Sequence, residues 1–353
     1  MQKRIGNYTL LKEIGSGAFG QVYKAKYMKE PELYAIKKID KKKIAPPISS
    51  YLEREVSILR EINNTHVVKL HDVKASVNNY YLIFEYCNAG DLSLYVKKQG
   101  GRLTEAVARK IIRQVVDGLS SVYALGAIHR DIKLSNILVH QESELIIKIS
   151  DFGFARKLDS EAPLKMSTVG TLINMSPEML DELAYTVKSD IWGLGTIAYE
   201  MLCGKPPFKA NDKKNLKKIV ELGEYMISKK LRLSTEAIDF ISCCLQYYPF
   251  TRIHWRDLAS HPFIATDRIT KFDFIVMKKK NGAGLSEDEK NYKLSSKVKY
   301  KFFNLCAPIE TKDNDEEWKS EQDFESRDSP KSEEDIKNEK ALIQRIFVQY
   351  IKY

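Results

Sequence analysis

Three glycines near the N-terminus are followed by a strand pattern, and this combination restricts the fold more than any other feature of the chain. Gly15, Gly17 and Gly20 form the spacing GxGxxG in the segment "GSGAFG". A dinucleotide-binding fold requires a helix directly after the third glycine. The segment "VYKAKY" instead alternates tyrosine and alanine with Lys24 and Lys26, which is the period of a β-strand. The glycine loop therefore joins two antiparallel strands.

The rest of the first 90 residues predicts three more strands and one helix. The segments "LYAIKKI", "VVKLHDV" and "YYLIFEY" are short runs rich in strand-forming residues. The segment "SSYLEREVSILREI" has apolar residues at helical spacing, namely Leu52, Val56, Leu59 and Ile62. With the two strands around the glycine loop, these segments predict a five-stranded sheet with one helix.

After Gly90, helical patterns replace strand patterns. The segment "LTEAVARKIIRQVVDGLSSVYALG" predicts a long amphipathic helix, and "KSDIWGLGTIAYEMLCG" is apolar on nearly every side, as a buried helix would be. Residues 213–263 give further helical patterns. The predicted fold class is α+β, with a small β-rich lobe on a larger helical lobe, joined near Glu85–Gly90.

Composition excludes several classes of protein. The five cysteines include no CxxC pair, which favours reduced thiols and argues against a disulfide framework or a zinc site. The N-terminal segment has no apolar signal core, and no apolar run reaches membrane length. We therefore expect no transmembrane segment and a cytoplasmic protein, with the nucleus as the alternative. The net charge of +10 allows a nucleic-acid partner, but no basic groove with aromatic residues accompanies it, so we expect none.

A lysine in the third predicted strand points to a phosphate ligand. Lys37 lies in "YAIKK", and a lysine on a buried strand is costly unless it is paired. Glu55, in the following helix, is the expected partner, and the pair would hold Lys37 against nucleotide phosphates. The glycine loop would bring its N–H groups close to the same phosphates. The alternatives are an ordinary glycine hairpin and a surface lysine at a strand edge.

A second polar cluster, "HRDIKLSNILV", combines the residues that phosphoryl transfer requires. The Asp131 carboxylate can accept a proton from a substrate hydroxyl, and Lys133 can neutralise the transferring phosphoryl group. Asn136 and Asp151, the latter at the start of "DFG", offer the oxygen ligands that Mg²⁺ prefers. The alternative is a solvated loop, but the apolar "ILV" that follows favours a loop anchored on a buried strand.

These segments together resemble the eukaryotic protein kinases. The segments "GSGAFGQV", "YAIK", "HRDIKLSN", "DFG", "SPE" and "DIWGLG" occur in the order and at about the spacing of that family, over residues 8–264. The lysine in "HRDIKLSN" is similar to the serine/threonine class. The segments "EYCNAGDLSLYV", "DFGFAR" and "GTIAYEMLCGKPPF" most resemble the autophagy-initiating, Unc-51-like kinases.

The resemblance implies a bilobal kinase fold, with an N-lobe at 8–85, a C-lobe at 91–264 and ATP with Mg²⁺ in the cleft between them. The implied catalytic residues are Asp131, Lys133, Lys37 and Glu55, and the implied metal ligands are Asn136 and Asp151. The implied nucleotide-binding residues are Ile14, Gly15, Gly17, Gly20, Val22, Ala35, Lys37, Glu85, Cys87, Asp91 and Leu138. Other positions match the gatekeeper (Phe84), the hydrophobic spine (His129 and Phe152) and a buried ion pair (Glu178 with Arg252).

The expected function is transfer of the γ-phosphate of ATP to serine or threonine hydroxyls of protein substrates in autophagy initiation. One alternative is a pseudokinase-like scaffold that binds nucleotide. It predicts the loss of Lys37, Asp131 or Asp151, and all three are present. The other alternative is a kinase of another signalling pathway. Thr171 is expected to contact the catalytic loop, and Ser167 is the expected activating phosphorylation site.

The segments outside the expected kinase domain are predicted to be extensions. Residues 1–7 form an N-terminal extension and 265–340 a C-terminal one. Its part at 311–340 has 12 acidic and 6 basic residues, which predicts a disordered linker. Residues 341–353 place six apolar side chains on one helical face. We expect this amphipathic helix to dock on the kinase domain itself or on a regulatory protein partner.

Overall fold

The computed structural model describes residues 3–17, 20–29, 31–43, 48–152, 156–157, 172–183 and 186–265. The chain divides into two units, Met1–Lys299 and Tyr300–Tyr353. All of the described residues belong to the first unit. The predicted acidic linker and the predicted C-terminal helix lie outside the described residues.

One antiparallel sheet forms the core of the smaller lobe. Its strands are Arg4–Ile5 (β1), Tyr8–Gly17 (β2), Gly20–Tyr27 (β3), Leu33–Asp40 (β4), Leu70–Ala75 (β5) and Asn79–Glu85 (β6). Their order in the sheet is β1-β2-β3-β4-β6-β5. The sequence predicts five of these strands. The additional strand is β1, since two residues are too few to show the alternation by which a strand is recognised.

The helix Ile48–Glu61 (α1) packs on this sheet and also reaches the other lobe. Leu52 and Val56 pack against a small hydrophobic cluster of the sheet, whereas Leu59 belongs to the main core of the larger lobe. The predicted helical spacing of apolar residues therefore serves two cores. Glu55 lies on the same helix, between the contacts with the two lobes.

The larger lobe is mostly helical. Its helices are Leu92–Lys98 (α2), Glu105–Ala124 (α3), Pro177–Leu180 (α4), Val187–Cys203 (α5), Lys213–Leu222 (α6), Thr235–Cys244 (α7) and Pro262–Ala265 (α8). Its strands are Ala127–Ile128 (β7), Ile137–Gln141 (β8), Leu145–Ile149 (β9) and Arg156–Lys157 (β10). The β8 and β9 strands form a hairpin, and β7 pairs with β10. The predicted α+β fold with two unequal lobes is confirmed.

Helices α3 and α5 form the centre of the main core. Thr104 caps the N-terminus of α3. The apolar face of this helix is fully buried and includes Ile111, Val115 and Leu119. The α5 helix is buried on nearly all sides, as its apolar sequence predicts. Within the described part of the chain, none of the helices combines the length and apolar character needed to cross a membrane.

The segment after β6 connects the lobes and is attached to β8. Ala89 donates its N–H to the carbonyl oxygen of Val139 at 3.0 Å, and Val139 donates to that of Gly90 at 2.8 Å. The side chain of Asn88 adds two hydrogen bonds of 2.8 Å to the backbone of Gln141. The larger lobe therefore holds the connection from Asn88 onwards.

Candidate active site

A cleft of about 640 Å³ is lined by residues of both lobes. Its lining contains all but one of the residues expected to serve the site: Ile14, Gly15, Gly20, Val22, Ala35, Lys37, Glu55, Glu85, Cys87, Asp91, Asp131, Lys133, Asn136, Leu138 and Asp151. The remaining residue, Gly17, pairs with Gly20 at the tip of the β2–β3 hairpin. The predicted antiparallel hairpin is confirmed, and its two central residues lie outside the described range.

Gly20 has a role inside the sheet that the sequence does not reveal. A Cβ atom at this position would overlap the backbone carbonyl oxygen of Lys38. Only glycine allows the two strands to approach this closely. The third glycine of the GxGxxG spacing is therefore required by the packing of β3 on β4, whether or not a ligand is bound.

Lys37 is held between two carboxylates. It lies in β4, opposite Val22 of β3 and Leu82 of β6. Its Nζ donates to Oδ1 of Asp151 at 3.0 Å and lies 3.8 Å from Oε1 of Glu55. Burial alone would lower the pKa of Lys37, but the charges of Glu55 and Asp151 outweigh it and hold the pKa above its usual value. Glu55, the partner expected from the sequence, is therefore present, and Asp151 is the nearer one.

The two carboxylates around Lys37 have different surroundings. Burial raises the pKa of Glu55, and the charge of Lys37 only partly opposes this. Oε1 of Glu55 is buried and has no hydrogen-bond partner among the described residues. The charge of Lys37 instead lowers the pKa of Asp151, whose φ of 62° is uncommon for a residue other than glycine. Of these two carboxylates, Asp151 is therefore the one whose ionised form its surroundings favour.

Three predicted side chains meet in the loop before β8. Lys133 Nζ donates to Oδ2 of Asp131 at 2.7 Å. Nδ2 of Asn136 donates to the same oxygen at 2.7 Å and to the backbone oxygen of Asp131 at 2.8 Å. Two donors on one oxygen fix the orientation of the Asp131 carboxylate. Because the amide NH₂ group of Asn136 is used in this way, its amide oxygen is the atom left for a cation.

The backbone of this loop is held by Asp190, a residue to which the sequence analysis gave no role. Oδ2 of Asp190 accepts the N–H of His129 at 2.8 Å, and Oδ1 accepts the N–H of Arg130 at 2.6 Å. Burial raises the pKa of Asp190, against the effect of these hydrogen bonds. Arg130 has a φ of 74°, so the bonds support a strained turn. The aspartate of "DIWGLG" was the available signal, but only the fold shows what it contacts.

The first glycine of "DIWGLG", Gly193, lets α5 approach the loop. A Cβ atom at Gly193 would lie 2.8 Å from the backbone oxygen of Ile132. Any larger residue would push the loop away from α5, because backbone atoms cannot rotate aside as a side chain can. Asp190 and Gly193 therefore position the residues on either side of Asp131.

The region expected to bind adenine combines apolar walls with a buried thiol. Cys87 is buried; burial, together with the nearby charge of Glu85, raises its pKa to about 12. The thiol therefore stays protonated at neutral pH. Oδ1 of Asp91, the expected ribose contact, accepts the N–H of Leu94 at 2.9 Å and caps α2. Asp91 thus has a structural role that is independent of any ligand.

The other positions matched by the resemblance also make specific contacts. The rings of His129 and Phe152 pack edge to face, with centroids 4.8 Å apart. Arg252 forms a bidentate ion pair with Glu178, at 2.8 Å to Oε1 and 2.7 Å to Oε2. Thr171 and Ser167 lie outside the described residues.

A cluster of potential metal ligands elsewhere in the larger lobe is better explained as a hydrogen-bonded group. Side-chain ligand atoms of Asp239, Cys243 and His261 lie within 4.8 Å of one another. However, Nδ1 of His261 accepts the N–H of Phe263 at 3.1 Å, so the neutral ring carries its proton on Nε2. That atom lies 3.1 Å from Oδ2 of Asp239. Metal binding through Nε2 would need the proton on Nδ1, where the N–H of Phe263 points.

The cleft itself has the ligand types that Mg²⁺ requires. Asp151 supplies an ionised carboxylate, and Asn136 supplies an amide oxygen. Both are hard oxygen ligands, and Mg²⁺ is bound through few protein ligands together with substrate phosphates. Lys37, 3.0 Å from Asp151, provides the cation expected beside a phosphate. The residues therefore fit a nucleotide with its magnesium ion.

Comparisons with known proteins agree with this arrangement. A serine/threonine-protein kinase atg1 of Dictyostelium discoideum is 36% identical over 275 residues, which cover 74% of this chain and 40% of the relative. ATG1a of Arabidopsis thaliana is 33% identical, over 75% of this chain and 42% of the relative. Serine/threonine-protein kinase 33 of Mus musculus is 32% identical, over 74% of this chain and 56% of the relative. The chain thus spans about two fifths of the length of the first two relatives.

The family model described as "Protein kinase domain" matches residues 8–264. The expected resemblance, including the similarity to proteins named atg1 and ATG1a, is confirmed by these matches. The chain belongs to the protein kinase family.

Proposed function

We propose that this chain transfers the γ-phosphate of ATP to serine or threonine hydroxyls of proteins. The observation that carries the proposal is the catalytic loop, in which Lys133 and Asn136 both bind Oδ2 of Asp131 at 2.7 Å. This loop faces the same cleft as the pair formed by Lys37 and Asp151. A positioned base and a phosphate-binding cation thus share one site.

Asp131 is proposed to accept the proton of the substrate hydroxyl while the hydroxyl oxygen attacks the γ-phosphorus of ATP and the bond from that phosphorus to the leaving ADP oxygen breaks. Lys133 supplies a positive charge 2.7 Å from that carboxylate, where it would offset the negative charge that develops on the phosphoryl group. Lys37 would bind the remaining phosphates in place of its bond to Asp151. Magnesium, held by Asn136 and Asp151, would neutralise phosphate charge when bound.

The adenine is proposed to lie between apolar walls at the other end of the cleft. Val22 and Ala35 line it from the sheet, and Leu138 lines it from β8. The backbone of Glu85 and Cys87 would give the polar contacts that fix the orientation of the base. This division into apolar walls and a few polar groups is typical of small-molecule sites.

We propose autophagy initiation as the pathway and the cytoplasm as the location. Support comes from the segments that resemble Unc-51-like kinases and from the relatives named atg1 and ATG1a. A kinase of another signalling pathway is the alternative, and the 32% identity to serine/threonine-protein kinase 33 supports it. Phosphorylation of autophagy proteins in cells that retain or lack this chain would separate the two.

A transfer assay with [γ-³²P]ATP, Mg²⁺ and a generic protein substrate tests the proposed activity. We expect incorporation on serine and threonine by the full chain and a loss of about 10²-fold or more for Lys37→Met, because Lys37 would orient the phosphates. Tight binding of Mg·ATP by the wild-type chain without any transfer would instead identify a nucleotide-binding scaffold.

We further propose that the amphipathic segment at 341–353 docks on the kinase domain or on a regulatory protein partner. Its six apolar side chains on one helical face would be costly to leave in water. Amide hydrogen exchange on the full chain and on a chain ending near residue 310 tests this. Exchange without protection throughout 341–353, with no change in the kinase domain, would rule out intramolecular docking.

A further inference from the structure

A buried lysine of the larger lobe is bonded to the connection between the lobes. Lys148 lies in β9, and its side chain is only 11% exposed. Its Nζ donates to the backbone oxygen of Thr65 at 2.8 Å and lies 3.0 Å from Oε1 of Glu85. A buried charge needs such compensation. We call Lys148, Glu85 and Thr65 the hinge bridge.

The carboxylate of the hinge bridge is engaged on a second side. Oε1 of Glu85 accepts the backbone N–H of Lys69 at 2.7 Å, and the backbone N–H of Glu85 donates to the carbonyl oxygen of Lys69 at 3.1 Å. Glu85 is therefore fixed through both its backbone and its side chain.

The segment that follows α1, which includes Thr65, is also bonded to the end of β9. Ile149 donates its N–H to the carbonyl oxygen of His66 at 2.9 Å, and its own carbonyl oxygen accepts the N–H of Val68 at 2.9 Å. The segment after α1 thus runs alongside the end of β9. Asp151 follows Lys148 by three residues and lies just beyond the end of β9, so the strand that carries the bridge also leads to the predicted metal ligand.

We infer that Lys148 is a positioning residue that sets the distance between the adenine end and the phosphate end of the cleft. It holds Glu85, at the hinge, against β9, which presents Asp151. A nucleotide must contact both ends at once. If the hinge shifts relative to β9, the protein binds the nucleotide more weakly because the two ends of the cleft are misplaced, even though no residue that contacts the nucleotide has been removed. This inference rests on the proposed binding of ATP in the cleft.

The test measures the Kd of Mg·ATP by calorimetry on the full chain and on Lys148→Met. We expect Kd to rise by about tenfold, within the usual range for groups that share one network. The matched control is Lys69→Met, which removes an exposed lysine that enters the network only through its backbone. It should bind Mg·ATP as the wild type does.

A second variant keeps the test valid if Lys148→Met fails to fold. Glu85→Gln retains the side-chain oxygen that accepts from Lys69 but removes the charge that faces Lys148. It should raise Kd about threefold, and the double variant should bind no more weakly than Lys148→Met, because both changes break one interaction. In transfer assays the KM for ATP should rise while the KM for the protein substrate stays constant, which general destabilisation would not produce.

The outcomes separate this inference from the proposed function. If the wild-type chain does not bind Mg·ATP, the proposed function is wrong and the inference fails with it. If the wild type binds and both Lys148→Met and Glu85→Gln bind equally well, the hinge bridge has no positioning role, while the proposed function stands.

Discussion

Two ion pairs of this molecule, one in the larger lobe and one in the cleft, differ in how completely the protein satisfies their charges. Arg252 and Glu178 are 0% and 3% exposed and share two hydrogen bonds. Ser189 donates to Glu178 at 2.8 Å, and backbone oxygens take the remaining donors of Arg252. Lys37 and Glu55 are 3.8 Å apart, and Oε1 of Glu55 has no hydrogen bond to a described residue.

The difference separates a structural pair from a functional one. Burial alone would raise the pKa of Glu178, but the charge of Arg252 and the hydrogen bonds to Glu178 together lower it, so that pair is complete without a ligand. Glu55 keeps a raised pKa, and Lys37 is shared between two carboxylates. Polar capacity that the protein leaves unused in a cleft is available to a ligand. Disruption of the first pair should therefore reduce stability, and changes in the cleft should reduce activity.

The largest expected effect is on turnover and comes from the cleft. Asp131→Asn should lower kcat by about 10²–10⁴-fold, the usual contribution of a positioned base. The asparagine can still accept from Lys133, so the midpoint of thermal unfolding should change little. Initial rates with Mg·ATP and a protein substrate, together with a thermal melt, measure both quantities. If Asp131→Asn turned over at the wild-type rate, Asp131 would not be the catalytic base.

The next effect is on stability and comes from the larger lobe. Glu178→Ala should lower the free energy of unfolding by about 3–5 kcal/mol, because it leaves a buried guanidinium without a counter-charge. Urea unfolding measures this, and the affinity for Mg·ATP of the folded fraction should be unchanged.

The matched control for Glu178→Ala is Lys213→Ala, which breaks an exposed pair with Glu182 and should cost about 0–1 kcal/mol. Equal losses in the two variants would contradict the distinction between a complete buried pair and a surface pair.

The smallest effect is a pH dependence of stability at His261. Burial lowers its pKa, and Asp239 and Glu236 only partly oppose this. Since the unfolded chain binds the proton more readily, the free energy of unfolding should rise with pH up to about 6.5, the usual value for histidine, and gain nothing from this group above it. Urea unfolding between about pH 5.5 and 7.5 should show a shallower rise for His261→Asn, which keeps a side-chain acceptor for Phe263. If the free energy of unfolding depended on pH in the same way in the wild type and in His261→Asn, His261 would not be a source of the pH dependence.

Much of the fold follows from local patterns. The alternation of "VYKAKY" and the helical spacing of Leu52, Val56 and Leu59 identify their elements, because each pattern depends on neighbouring residues only. The sheet order is less accessible: β6 lies between β4 and β5, and β1 is too short to predict. Strand order depends on contacts between distant segments, which periodicity does not record.

The residues of the candidate site likewise fall into those that the sequence predicts and those that only the tertiary structure reveals. The sequence by itself selected Lys37, Asp131 and Asp151, because phosphoryl transfer requires few residue types and their spacing is distinctive. Only the tertiary structure decided that Asp151 lies nearer to Lys37 than Glu55 does, and that Asp190 and Lys148 support the loop and the hinge. Those two residues act on groups more than 50 residues away in sequence, namely backbone N–H groups for Asp190 and the Glu85 carboxylate for Lys148. Any polar residue can make such contacts, so only the folded chain shows which residues make them.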